Sequence, residues 1–328
     1  KPSEYTPAIN KVIAKILDKT FSEDIFAIVE GDAQVSQKLL AFKFDHIFFT
    51  GSTPVGRVVM QEASKFLTPV TLELGGKSPV VIDNDYPLKK ACEKLAWGKL
   101  VNAGQTCVAP DYIFVPKGKG ADFAKQYLKY AKKFYFNSKK QDDYCSIISD
   151  KHFSRLEELV NDATQKGALV EELEIKKETK FSPKVLLQVT KDMNVMQEEI
   201  FGPILPIVEY ENLDEVISYI NDDSYPLSLY CFSKNKKFIN KLSRNTTSGS
   251  FSLNEVLIHV GNKELAFGGV GESGMGRYHG KEGLIEFSNQ RAFYQRKNER
   301  GLRFFFPPYK GMNKKILNLV FKYFWKKI

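Results

Sequence analysis

Glu73, near the end of PVTLELGG, and Cys107, inside NAGQTCVAP, are of residue types that could do covalent chemistry at carbon. A cysteine thiolate attacks an electrophilic carbon and later leaves readily. A carboxylate with a raised pKa can take up a proton near neutrality. Alternation along the strand puts Val70, Leu72 and Leu74 on one side and Thr71 and Glu73 on the other. Glu73 then either reaches a cleft at the strand's end or is simply solvated. Cys107 falls in a loop between a helix ending near Gly104 and a strand starting near Asp111, where a thiol can be partly exposed. Cys92, within a helix, and Cys231, within LSLYCF, read as core packing, whereas Cys145 reads as exposed and isolated. Taken alone, any one of these four cysteines is more readily structural than nucleophilic.

A second kind of site is suggested by GSTPVG at 51–56, which follows a strand pattern and opens a helix. Free backbone N–H groups and the helix dipole at such a start favour a phosphate. A P-loop would continue with Lys and then Ser or Thr, but Arg57 and Val58 follow, which argues against an NTPase. From the hexapeptide alone an ordinary N-capped helix start is the readier reading. Gly269, Gly271 and Gly274 fit GxGxxG by letter, yet no strand pattern precedes them, and this stretch is expected to be a flexible loop.

Apolar β-branched runs alternating with helical patterns must position these residues. IFAIV at 25–29, AQVSQKLLAF, DHIFFTG, a helix over 54–66 and PVTLELGG predict strand, helix, strand, helix, strand. After Gly76 a second series runs through SPVVI, a helix over 87–101, DYIFVP and a helix over 121–135. KVLLQV, PILPIVEY, a helix near 212–221, LSLYCF, a helix near 235–244 and SGSFSL continue it. QRAFYQR looks like a late strand. The fold class is α/β with parallel sheets.

With 328 residues and 43% hydrophobic content the chain can bury a large core in two units. Four cysteines without a CxxC pair point to a reducing compartment, and the scattered histidines at 46, 152, 259 and 279 lack metal-ligand spacing. The net charge is +9, yet residues 1–295 carry 38 charges of each sign, so the excess sits in the tail and no nucleic-acid face is expected on the globular part. No apolar run is long enough to span a bilayer. Over 314–328, Lys315, Asn318, Lys322 and Lys326 fall on one helical stripe with apolar and aromatic residues over the rest. Such a helix could lie on an anionic membrane, or dock on its own body or on a dimer partner.

Taken together, KPSE (1–4), LELGGKSP (72–79), GQTC (104–107) and EEIFGP (198–203) resemble the aldehyde dehydrogenase superfamily in order and approximate spacing. FGGVGESGMGRYHGKEG (267–283) and FFPPYK (305–310) are most similar to its class 3, or fatty aldehyde, branch. The resemblance implies a Rossmann-type cofactor domain, incomplete in this chain, ending at residue 75. A catalytic domain over 76–286, a small oligomerisation strand over 287–300 and a basic amphipathic tail over 301–328 would follow.

It also implies that Cys107, as thiolate, forms a thiohemiacetal that passes hydride to nicotinamide and becomes a thioester. Glu73 would activate the water that hydrolyses it. That base favours a carboxylic acid product over transfer to coenzyme A. Lys1 and Glu4 match residues that hold the adenosine ribose, and Glu4 favours the free 2′-hydroxyl of NAD over NADP. Gly51, Ser52 and Gly56 match the pyrophosphate turn, and Leu74 and Gly75 the nicotinamide. Glu199 and Phe201 match nicotinamide-ribose contacts, Glu199 also being a candidate second base. Phe267 matches an aromatic lining the aldehyde channel. A cytoplasmic homodimer acting on medium- or long-chain aliphatic or aromatic aldehydes is expected. Because KPSEYTP opens without an initiator methionine, a preceding segment carrying an oxyanion-donating Asn is also expected; one such donor is worth ~3 kcal/mol.

Overall fold

Glu73 ends a strand of one sheet, Cys107 lies in a loop that leads into a strand of another, and the short linker 74–78 joins the two sheets. The computed structural model describes residues 1–137, 143–173, 175, 180–222, 224–297 and 305–325. Residues 1–287 form one unit containing both sheets, and 288–328 form a second.

In the smaller sheet, β1 (Ile47–Thr50) pairs in parallel with β2 (Val70–Glu73). The larger sheet contains β3 (Pro79–Ile82), β4 (Tyr112–Pro116), β5 (Leu169–Glu172), β6 (Lys184–Leu187), β7 (Ile204–Tyr210), β8 (Ser228–Phe232) and β9 (Ser250–Leu253). Its order is β5-β6-β7-β4-β3-β8-β9, all parallel except the β5–β6 edge. Every residue of β3 and β8 is buried, as expected for central parallel strands covered on both faces. The crossover helix Leu88–Leu100 buries Ala91, Cys92, Leu95, Ala96 and Leu100, one helical stripe, and packs beside helix Gly120–Ala131. Cys92 and Cys231 are both core residues.

The fold departs from the sequence expectation in five places. IFAIV forms no strand. Ile25 and Phe26 are exposed, and no described strand lies alongside to share a hydrogen-bond ladder, without which a β-prone run stays coil. Residues 288–297 are likewise not a strand within this single chain. Helix Pro7–Thr20 and edge strand β5 were not anticipated. The glycine-rich segment is not a flexible loop: Gly274–Met275 form β10, antiparallel to β2, with Gly274 opposite Glu73. A Cβ on Gly274 would overlap the Leu72 carbonyl, so glycine here permits close backbone approach. In the second unit the tail forms helix Gly311–Trp325, and residues 326–328 lie outside the described residues.

Candidate functional site

Glu73 ends β2, held between β1 and β10, and is 3% exposed. The solvated-strand alternative is therefore removed. Its carboxylate accepts a hydrogen bond from the Cys107 thiol, and Glu73 Oε1 is buried with no partner. Burial raises the Glu73 pKa, opposed by that hydrogen bond. A carboxyl group so placed holds a proton more readily than one in water.

Cys107 is half-buried and packs with Val108, Leu227, Phe267 and Tyr278. The backbone leading to it is unusual: Asn102, Ala103 and Gly104 adopt left-handed conformations in succession, at φ 51°, 51° and 77°. A Cβ on Gly104 would overlap the Gly202 carbonyl, so this loop is pressed against the EEIFGP loop. Asn102 Nδ2 donates to the Gln105 carbonyl at 2.9 Å and Gln105 Nε2 to the Asn102 carbonyl at 3.0 Å, fixing the turn. The thiol pKa is pushed up to about 12, first by burial, then by the Glu73 charge and hydrogen bond, then by Glu199. The thiol is thus held in its protonated form until the attack that the resemblance assigns to the thiolate. Its proton must leave as the sulfur attacks, and Glu73 is the adjacent acceptor.

Glu199 lies against Gly75, where a Cβ would overlap its carboxylate. It accepts from the Gly76 N–H, and its pKa is pushed up to about 8 by burial and then by the Asp111 charge. Three residues that the motif reading did not single out hold this loop. Buried Lys77 forms an ion pair with buried Asp111 and donates to the Val195 and Glu198 carbonyls at 2.8 and 3.0 Å. Asp111 Oδ2 accepts from the Ile200 N–H at 2.9 Å. Arg155 donates to the carbonyls of Glu199 and Ile200. Lys99, 1% exposed, joins the same electrostatic cluster, and burial lowers its pKa to about 8. Lys77 stands inside LELGGK and so had a signal; Asp111, Arg155 and Lys99 had none beyond being charged.

The other predicted residues divide between backbone and side-chain roles. Helix Thr53–Ser64 begins at Ser52 with no side-chain cap, leaving its first N–H groups without a capping side chain, as an anion site requires. The Gly51 N–H donates to the Glu73 carbonyl at 3.1 Å, so this helix start and the candidate base lie together at the C-terminal ends of neighbouring strands. A Cβ on Gly56 would come 2.6 Å from Leu74 Cδ2, so Gly56 lets the helix pack on β2. The Leu74 side chain fills a small core with Val59 and Leu72, leaving it a backbone role only. Phe201 is partly exposed at φ 47°. Lys1 and Glu4 pair with each other at 3.0 Å. Phe267, 4% exposed, bridges to Tyr278 and helps line a cavity of about 210 Å³ with Ser250, Phe251, His259, Leu265 and Ala266. These uncapped N–H groups, the glycine face at 75–76 and the buried carboxylates fit a dinucleotide.

Comparison with known proteins places this geometry in context. The model of the aldehyde dehydrogenase family matches residues 1–293. A probable coniferyl aldehyde dehydrogenase of Pseudomonas aeruginosa is 42% identical over 99% of this chain and 68% of its own length. Aldehyde dehydrogenase family 3 member A2 of Mus musculus is 46% identical over 89% of this chain and 60% of its own. The solved structure of Staphylococcus aureus AldH in a substrate-bound state has a TM-score of 0.88 at 41% identity, covering 97% of this chain and 70% of that one. An NAD+ complex of a Mycobacterium tuberculosis aldehyde dehydrogenase has a TM-score of 0.77 at 28% identity, covering 85% and 59%. The chain thus spans about 60 to 70% of the length of these relatives.

Proposed function

Because the chain belongs to the aldehyde dehydrogenase family, we propose that it oxidises aldehydes to carboxylic acids, with Cys107 as nucleophile and Glu73 as general base. The observation that carries this is the hydrogen bond between the Cys107 thiol and a buried carboxylate whose other oxygen is free. Sγ adds to the carbonyl carbon while its proton passes to Glu73, and the Cys107 backbone N–H faces the developing oxyanion. When bound, NAD or NADP would accept the two electrons that turn this thiohemiacetal into a thioester. Ser52 and the helix start behind it would hold the pyrophosphate, with Gly75, Glu199 and Phe201 at the nicotinamide end and Lys1 and Glu4 at the adenosine ribose. After Glu73 has shed its proton it takes one from water, which attacks the thioester and releases the acid and the Cys107 thiol.

The substrate class we favour is medium- or long-chain aliphatic or aromatic. Phe267, Leu265, Ala266 and Phe251 give the cavity an apolar wall, and the relatives include enzymes named for coniferyl and diaponeurosporen aldehydes. NADH formation with the full-length protein and such aldehydes tests the reading; no turnover across the series overturns it. Glu73 supports hydrolysis over acyl transfer to coenzyme A.

Helix Thr53–Ser64 exposes Val55 and Val58 side by side, an apolar strip suited to a second copy in a homodimer. The tail helix supports a further reading. It carries Lys314, Lys315 and Lys322 and leaves Leu319, Phe321, Tyr323 and Phe324 exposed within its own unit. No helix among the described residues is long and apolar enough to cross a membrane. The basic and aromatic side chains of the tail helix support a cytoplasmic protein that rests on an anionic membrane surface through this helix. Sedimentation with anionic vesicles should fall when residues 314–328 are deleted, and equal pelleting would remove the membrane idea.

A further inference from the structure

We propose that Tyr230 is a positioning residue for the nucleophile: its buried hydroxyl, backed by Ser228, Ser250 and His259, fixes the carbonyl adjoining Cys107 and so keeps the thiol aligned with Glu73. The inference rests on Cys107 being the nucleophile, and it extends that reading to a residue on another strand.

Tyr230 is the central residue of β8 and is wholly buried. Its hydroxyl donates to the Val108 carbonyl at 2.6 Å, and Val108 directly follows Cys107. A carbonyl can only accept, so the phenol's proton is committed to this bond and its oxygen is left to accept. Ser228 hydrogen-bonds to that oxygen. Ser228 Oγ lies 2.7 Å from Ser250 Oγ, and the two hydroxyls lie 3.1 and 3.0 Å from His259 Nε2. His259 Nδ1 is buried with no partner, and burial lowers the imidazole pKa. A neutral ring with its proton on Nε2 donates toward the two serine hydroxyls and leaves Nδ1 as the one unpaired acceptor of the chain. Hydrogen bonds then run in one direction, from His259 through Ser228 to Tyr230 and on to Val108.

A phenol buried in a sheet costs free energy unless it is paired, so phenylalanine would pack here at less cost if packing were all that mattered. Tyr127 shows the contrast: it is equally buried, and its hydroxyl has no partner. The loop held by Tyr230 is the one that follows the left-handed turn at 102–104 and closes with the Ala109 N–H donating to the Thr106 carbonyl at 2.9 Å. Clamping its far side from β8 limits how far the Cys107 backbone can rotate.

The test compares Tyr230→Phe with Tyr127→Phe, which removes an unpartnered hydroxyl of the same kind. In the full-length protein, Tyr230→Phe should lower kcat with aldehyde about tenfold, the effect of losing one well-placed hydrogen bond, while the KM for NAD stays unchanged. Alkylation of Cys107 by iodoacetamide should shift to lower pH, because a freed loop lets the thiol relax away from the Glu73 carboxylate. Tyr127→Phe should move neither. Ser228→Ala, which leaves the Val108 bond in place, should give a smaller drop in kcat. A Tyr230→Phe protein that loses only thermal stability, with kcat and the alkylation profile unchanged, would overturn the proposal. If the parent protein makes no NADH while its alkylation profile responds as stated, the aldehyde reading fails and the positioning role stands.

Discussion

The Glu73 carboxylate accepts a hydrogen bond from the Cys107 thiol, although the two residues lie on opposite sides of the linker that joins the two sheets. That contact makes the pair reciprocal, since the carboxylate that can receive the thiol's proton also holds the thiol protonated until substrate arrives.

Glu73→Gln should make Cys107 alkylate at lower pH. Burial is the first cause of the raised thiol pKa of about 12, and the Glu73 charge and hydrogen bond come next. Removing that charge lowers the midpoint without restoring the value of a free thiol. Iodoacetamide labelling read by mass spectrometry across pH checks it, and an unchanged profile would show that the carboxylate does not act on the sulfur.

Gly75→Ala should push the Glu199 carboxylate aside, because the new methyl group would overlap its end. The KM for NAD should rise, with a small loss of stability in urea denaturation. Combining it with Glu199→Ala should recover the stability but not the cofactor binding. An unchanged KM for NAD in the single variant would contradict the role of this close approach.

Lys77→Met should cost ~3–5 kcal/mol, because it leaves buried Asp111 without its cation. Adding Asp111→Leu should cost less than the sum of the two single changes. Additive losses in urea denaturation would mean that the ion pair is not coupled.

Two buried groups should contribute opposite limbs to the pH dependence of stability. Glu199 has its folded pKa raised to about 8, so its contribution is complete below the unfolded value of 4.5 and is lost as pH rises through 8. Lys99 has its folded pKa lowered from 10.5 to about 8, so between those values the unfolded chain binds the extra proton and the Lys99 contribution climbs, against the opposite trend of buried thiols such as Cys107. Glu199→Gln should flatten the first limb and Lys99→Met the second. Urea denaturation at a series of pH values checks both.

Much of this was legible in the sequence wherever a pattern is local. β3, β4, β7, β8 and β9 announce themselves as apolar runs, and the helix start at Ser52 follows from its strand-turn-helix context. IFAIV misled because β propensity describes fit to a neighbouring strand, and no described strand stands beside it. The glycine-rich segment misled because its glycines permit the close approach of β10 to β2, which a letter pattern cannot distinguish from flexibility. Cys107 and Glu73 were found through ordered motifs. Their mutual hydrogen bond, the Lys77–Asp111 pair and the Tyr230 clamp depend on residues brought together across separate strands, so no sequence window contains them.

The most direct measurement is peptide mapping of the full-length Glu73→Gln protein after incubation with NAD and an aldehyde. With Glu73 replaced, the thiol loses its proton acceptor and the acyl adduct should form slowly, but without the hydrolytic base it should then persist on Cys107, with NADH stopping at a single equivalent, while Cys107→Ala should give neither adduct nor NADH. Continued turnover in Cys107→Ala, or an adduct carried by Cys145 instead, would contradict the account.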